Sequence, residues 1–357
     1  AIVVLVAAFC GCEGKGGLRS GPIVNTTYGA VQGVSGDGYD VWHSIPYAAP
    51  PLGPLRFHPP TPPQSWNGVK DVSGWPEPCP QFDIVKDLYF GNEDCLYLEV
   101  WRPSLGQPDK KLPVMLFIYG GGYSIGDSSE FGLYNGQNMV KNNDVILVAM
   151  NYRLGSLGFL SLPELMEEGN ATGTYGVLDQ RMAMEWVQAN IEQFGGDPNR
   201  VAIFGESAGA FSVCWHLAAS GSKGLFQAAI SESGTCDSPQ FFRDYDYANA
   251  FSARYAGLLG CNSTGHELLA CLRKLDVGTL LTTVPDQPTS SSSNPHWAAS
   301  LFQSSSNPPR WPSLAPLMPW GVALDGAKGS LSTLPLKQLQ KDGGAKVPTI
   351  FLTNADE

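Results

Sequence analysis

The chain has 357 residues, room for one large domain or two ordinary ones, and its 43% hydrophobic and 11% aromatic content suits a packed core. Asp and Glu number 33 against 22 Lys and Arg, a formal charge of −11. That balance speaks against a nucleic-acid or anionic-membrane partner, since both demand basic patches.

The first stretch, "AIVVLVAAFCGC" (residues 1–12), is apolar, lacks an initiator Met and a basic lead, and is too short to span a bilayer. It reads as the end of a secretory signal peptide whose beginning is missing, with a buried first strand as the alternative. The "EGKGGLRS" of residues 13–20 reads as a flexible segment, and residues 21–357 as the folded domain. Asn25 (N-T-T), Asn170 (N-A-T) and Asn262 (N-S-T) are glycosylation sequons, and with the signal remnant they point to a secreted glycoprotein. Of eight cysteines, Cys79 with Cys95 and Cys261 with Cys271 bracket short polar loops, as disulfides of an oxidising compartment do. Metal binding is the rival, unsupported by any C-x-x-C pair or clustered histidines. Cys214, inside an apolar helical pattern, reads as a buried free thiol.

Short apolar runs then alternate with helical patterns. "VMLFIYG" (Val114–Gly120), "VILVAMNY" (Val145–Tyr152), "VAIFG" (Val201–Gly205), "AAISESG" (Ala228–Gly234) and "VPTIFLTN" (Val347–Asn354) predict buried strands. Met182, Trp186, Ile191 and Phe194 predict a helix within Leu178–Gly196, with Gly195 suited to its C-terminal cap. The sum is an α/β fold on a central, mostly parallel sheet. Earlier, "AVQGV" and "LYLEVWRP" alternate as antiparallel edge strands would. The Ser- and Pro-rich residues 286–319 read as a long surface excursion.

G-x-S-x-G at Gly205–Gly209 stands between a predicted strand and a predicted helix. In that context the glycines let strand and helix backbones pack closely around a strained turn that exposes the Ser207 hydroxyl, although an ordinary strand–helix turn is the plainer reading of the motif alone. "FIYGGGYSIG" (Phe117–Gly126) opens a strand into three glycines. Acyl transfer develops an oxyanion that preorganised N–H groups must meet, and Gly121, Gly122 and Ala208 are candidates. A bare loop or a phosphate cradle is the alternative, the latter lacking a following G-K-[ST].

These pieces, with "SIPYAAPPLGPLRFHPP", "NEDCLYLEVWRP", "MNYRLGSLGFL" and "GVLDQRMAMEWVQANIEQFGGDPNRVAIFGESAGA", run in the order of the type-B carboxylesterase/cholinesterase family, which the sequence resembles from about Gly21 onward. The resemblance implies an α/β-hydrolase fold, a mixed, mostly parallel central sheet flanked by helices. It implies that Ser207 is the nucleophile and that Gly121, Gly122 and Ala208 form the oxyanion hole. It also supports the Cys79–Cys95 and Cys261–Cys271 disulfides and structural ion pairs between Arg56 and Glu93 and between Arg153 and Asp179. The family's triad acid falls in a stretch like "TNADE", which makes Glu357 the acid.

The triad order Ser, acid, His puts the histidine after Glu357, where the chain ends, so the C-terminal part with the catalytic base is expected to be missing. His43 and His58 lie in the N-terminal region; His216 is nine residues past Ser207 on its helix; His266 sits between two cysteines; His296 lies in the Ser/Pro excursion. The expected function is serine carboxylesterase chemistry on a small-molecule or lipid carboxylic ester, without a cofactor or metal, and weak or absent in this chain. The alternative is a recognition module like the family's non-catalytic adhesion members. The loop Pro80–Asp94 holds no Trp to meet a quaternary ammonium, only Phe82, Tyr89 and Phe90, so choline specificity is not supported. Tyr123 and Phe241 are placed to line an acyl pocket or simply to pack.

Overall fold

A computed structural model describes residues 18–83, 88–104, 111–283 and 319–354. The strands of the first half are β1 (Arg19–Asn25), β2 (Ala30–Ser35), β3 (Tyr39–Pro46), β4 (Val69–Asp71), β5 (Gln81–Asp83), β6 (Leu88–Phe90) and β7 (Tyr97–Pro103). Then come β8 (Leu112–Ile118), α1 (Gln137–Asn142), β9 (Ile146–Met150), α2 (Gly155–Phe159), α3 (Pro163–Gly169) and α4 (Tyr175–Asn190). The region of the serine turn follows as β10 (Gly196–Glu206), α5 (Ala208–Ala218), β11 (Ala228–Glu232) and β12 (Phe242–Arg243). The described chain closes with α6 (Tyr245–Leu258), α7 (Gly265–Lys274), α8 (Val277–Thr282), β13 (Val322–Ala323), α9 (Pro335–Asp342) and β14 (Thr349–Leu352).

The main sheet runs β1-β2-β3-β7-β9-β8-β10-β11-β14, with β4 joined to β2. Its first half is an antiparallel meander through β9, and from β9 across β8, β10, β11 and β14 every pairing is parallel. Parallel strands covered on both faces need continuous apolar runs, which is why β8 and β9 read so plainly in the sequence. The five predicted strands are β8, β9, β10, β11 and β14, but the last is not buried: β14 is the outermost strand of the described sheet, paired only with β11, and its Ile350, Phe351 and Leu352 are each about half exposed. The predicted helix is α4, continued by a 3-10 turn over Ile191–Phe194 and closed by Gly195 at φ 87°.

β8 lies between β9 and β10, so the chain passes over β8 to build β10. That reversal of strand order makes the carboxyl ends of β8 and β10 the topological switch point, the place where open α/β sheets bind ligands. Helix α5 is buried along its whole length and packs on β8, β10 and β11.

Two further expectations need correction. Neither "AVQGV" nor "LYLEVWRP" is an edge strand, although both pair antiparallel: β2 lies between β1 and β3, and β7 runs between β3 and β9 and is buried along its centre. Its polar positions mimic a solvent face because they are satisfied inside, Glu99 by His43 Nδ1 (2.9 Å) and by the Ser128 hydroxyl (2.6 Å), and Arg102 by Asp40 (3.0 Å). Cys214 is not a free thiol. It is bonded to Cys236 with a Cα–Cα distance of 5.1 Å, a partner reached only because β11 returns the chain beside α5. In addition, β1 takes in Arg19 and Ser20, the last two residues of the segment read as flexible. The remainder of residues 1–17, most of the Ser/Pro excursion with His296, and Glu357 lie outside the described residues.

Candidate active site

Ser207 joins β10 to α5 in a conformation few L-residues adopt, φ 53° and ψ −118°. The surroundings over-determine it. Its N–H donates to the Glu232 carbonyl at the end of β11 (2.9 Å), and its own carbonyl accepts from Phe211 N–H (3.0 Å). The motif glycines make the turn possible: a Cβ on Gly209 would stand 1.9 Å from the Ile118 carbonyl oxygen, and one on Gly205 2.6 Å from both that oxygen and the Gly209 carbonyl carbon. The Ser207 side chain makes no cap to α5, so its hydroxyl is not spent on the helix.

The glycine run leaves the end of β8 directly beside this turn. A Cβ on Gly120 would lie 3.2 Å from Ser207 Cβ and 2.7 Å from Glu206 Oε2. Gly121 and Gly122 take φ 98° and 61°, and the Gly121 carbonyl accepts from Ser124 and Ile125 N–H (3.0 and 3.1 Å). Tyr123 follows at φ 59°, fully buried, with burial holding its hydroxyl well above the usual phenol range. Its hydroxyl meets Ser212 Oγ (3.2 Å), which donates to the Ala208 carbonyl (3.0 Å) and accepts from Gln180 Nε2 (3.1 Å). Gln180 Oε1 in turn meets His216 Nε2 (3.0 Å), and His216 Nδ1 meets Ser222 Oγ (2.9 Å). A buried polar chain therefore runs from the glycine loop down through α5. No sequence pattern announced it, because its members come from α4, α5 and two loops. The carboxylates of Glu206, Glu130 and Asp127 approach the same loop; burial first, then Asp127, raises Glu130, and Tyr134 beside them is raised to about 12, mainly by burial.

None of the described histidines serves Ser207. His43 belongs to β3, four strand positions from β10, which is about 19 Å at ordinary spacing, and it is bonded to Glu99. His58 Nδ1 is bonded to the Pro59 carbonyl (3.0 Å). His216 lies about 13 Å along α5 with both ring nitrogens engaged, and burial, aided by Arg181, drives its pKa well below the usual value. His266 is exposed on α7.

The expected framework is otherwise in place. Cys79–Cys95 and Cys261–Cys271 are disulfides, making three among the described residues with Cys214–Cys236. Arg56 forks onto Glu93 (2.7 and 2.5 Å) and donates to the Arg273 and Leu275 carbonyls (3.1 and 2.6 Å). Arg153 forks onto Asp179 (2.8 and 2.7 Å) and ties down the His58 carbonyl (2.8 Å). Burial pushes the Asp179 carboxyl up and Arg153 opposes it. Both pairs hold loops away from Ser207. A narrow crevice beside Arg56, Glu93 and Arg153 contains no residue of the serine turn. In the first disulfide loop Tyr89 is half exposed. No group of metal-ligating side chains occurs among the described residues, and none of their helices is long and apolar enough to cross a membrane.

A strained serine at the carboxyl end of a parallel strand, flanked by close-packed glycines, defines an α/β-hydrolase. Residues 20–357 match the Carboxylesterase family, and the chain belongs to it. It is 42% identical over 245 residues to the para-nitrobenzyl esterase of Bacillus subtilis, covering 67% of this chain and 48% of that protein. It is 38% identical over 288 residues to pyrethroid hydrolase Ces2e of Rattus norvegicus (76% of this chain, 49% of that one). To the acetylcholinesterase of Gallus gallus the identity is 39% over 283 residues (73% and 36%). The chain thus spans about half the length, or less, of these relatives. A solved PNB esterase superposes with a TM-score of 0.78 at 34% identity, covering 94% of this chain and 64% of its own.

Proposed function

We propose that the protein is a carboxylic ester hydrolase working through an acyl-enzyme on Ser207. The carrying observation is the Ser207 turn, strained at φ 53° and set against the Gly120–Gly122 loop at the carboxyl edge of the sheet. Ser207 Oγ attacks the ester carbonyl, and the oxyanion is met by the N–H groups of Gly121, Gly122 and Ala208. The alcohol leaves, and water then releases the acid from the acyl-serine. Because the described histidines are engaged elsewhere, this reading assigns the base to a histidine outside the described residues, with Glu357 fixing its tautomer. β14 runs parallel to β11 and β10, so its carboxyl end, which precedes Glu357, lies on the same sheet edge as Ser207. The substrate is a small-molecule or lipid ester; hydrolysis is the named activity of the para-nitrobenzyl esterase and pyrethroid hydrolase relatives. The adhesion-type alternative has no observation in its favour.

Three disulfides and the exposed positions of Asn25, Asn170 and Asn262 support secretion with glycosylation at those sites. The function is tested by treating the complete protein with a fluorophosphonate probe and with p-nitrophenyl butyrate. Covalent labelling at Ser207 is expected, with both labelling and turnover lost, by about 10³-fold or more, in Ser207→Ala. Turnover that survives Ser207→Ala overturns the reading.

A further inference from the structure

The segment after β11 is pinned to α5 at successive points. The Ser231 hydroxyl bridges the Ala210 and Gly234 carbonyls (3.3 and 3.2 Å). Gly234 approaches so closely that a Cβ there would meet Ala210 Cβ at 2.5 Å. Cys236 is covalently joined to Cys214, and its carbonyl accepts from Leu336 N–H at the start of α9 (2.8 Å). Beyond the disulfide, Phe241 stacks on Phe211 with ring centroids 4.0 Å apart and planes 20° apart. Phe241 also presents an edge contact to Tyr123, 6.1 Å between centroids.

The spacing on α5 gives these contacts a common direction. Phe211 follows Ser207 at i+4, and Cys214 follows Phe211 at i+3, so all three lie along one helical stripe. The stacked rings stand one turn from the nucleophile, the disulfide one turn further. Tyr123 comes from the other side, immediately after the glycines proposed to hold the oxyanion. Both sulfurs are buried, Cys214 fully and Cys236 to 6% exposure, which suits a fixed tether and not an exchange site.

We propose that the Cys214–Cys236 disulfide is a positioning element of the site: it holds Phe241 stacked on Phe211 and backed by the buried Tyr123, so that the stacked pair forms a rigid wall limiting the acyl group carried by Ser207. This rests on the esterase reading. A fixed aromatic wall discriminates by volume, and freeing the segment lets Phe241 withdraw and longer acyl chains enter.

The test compares the complete wild-type protein with Cys214→Ala/Cys236→Ala, Phe241→Leu and the triple variant. Values of kcat/KM are measured for p-nitrophenyl acetate and octanoate, and amide hydrogen exchange is followed over residues 233–242. The double cysteine variant is expected to raise the octanoate-to-acetate ratio by about tenfold and to exchange faster over this segment. Phe241→Leu, with the disulfide intact, is expected to raise the ratio in the same direction, and the triple variant to add less than about twofold more, as groups acting through one contact do. An unchanged ratio in Phe241→Leu overturns the proposal, even where the cysteine variant fails to fold. So does faster exchange in the cysteine variant with an unchanged ratio. A wild-type protein that hydrolyses neither ester refutes the esterase reading instead, and unchanged exchange then refutes the tether as well.

Discussion

Gly209→Ala puts the serine turn under direct load. The added Cβ would stand 1.9 Å from the Ile118 carbonyl oxygen, 2.8 Å from the Ile118 carbonyl carbon and 3.0 Å from the Tyr119 oxygen, all backbone at the end of β8. A comfortable carbon–oxygen contact is about 3.3 Å, so α5 and β8 must separate by about 1.4 Å. No side chain is available to rotate away. Overpacking of this kind costs about 3 kcal/mol, the upper end of its usual range, because backbone must yield. The same displacement moves Ser207 relative to the glycine loop, and a misplacement of about 1 Å is enough to lose about 10²-fold in rate. The assay pairs thermal unfolding with the second-order rate of fluorophosphonate labelling of the complete protein. Gly74→Ala is the control, since a Cβ there meets nothing within 4 Å. Wild-type labelling in Gly209→Ala would refute the claim that this glycine is required by the approach of the two backbones.

Asp179→Ala leaves the Arg153 guanidinium charged and buried, and is expected to cost about 3–5 kcal/mol in urea unfolding. Glu168→Ala, which removes the partly exposed partner of Arg273, is expected to cost under about 1 kcal/mol; similar losses in both would contradict the burial argument. His216 gives the pH dependence. Its folded pKa is depressed, so protons bind the unfolded chain more readily: its contribution is complete above the unfolded value of 6.5 and is lost as pH falls below it. The expected slope is up to about 1.4 kcal/mol per pH unit below that point, and His216→Gln, measured over the same range, should remove it.

The centre of the parallel half was legible because burial on both faces leaves no room for polar positions in β8 and β9, whereas the equally apolar β14 is half exposed, which an apolar run alone does not distinguish. The serine turn was legible because its glycines are demanded by backbone contacts of under 3 Å and have no substitute. β7 misled because Glu99 and Arg102 are polar yet satisfied internally, which alternation alone cannot distinguish from exposure. Cys214 misled for a related reason. Its partner is distant along the chain, with a helix and a strand between them, so no short loop advertised the pair. Counting would have helped: with two local pairs assigned, Cys214 and Cys236 remain as the cysteines outside the apolar leader. The Tyr123–Ser212–Gln180–His216 chain was beyond reach, since its members converge only after α4 and α5 pack.

The division of the sheet into an antiparallel meander and a parallel half also orders its assembly in time. β1, β2 and β3 pair with near neighbours, at little cost in chain closure. β11 meets β14 only by joining Ala229 to Thr349, so that pairing waits until the intervening chain has been gathered in. The outer flank of the sheet, two strands beyond the β10 that leads into Ser207, is therefore completed last. During synthesis or refolding, the chain passes through a stage with a formed meander and an uncovered β11, and chaperone dependence should be greatest there.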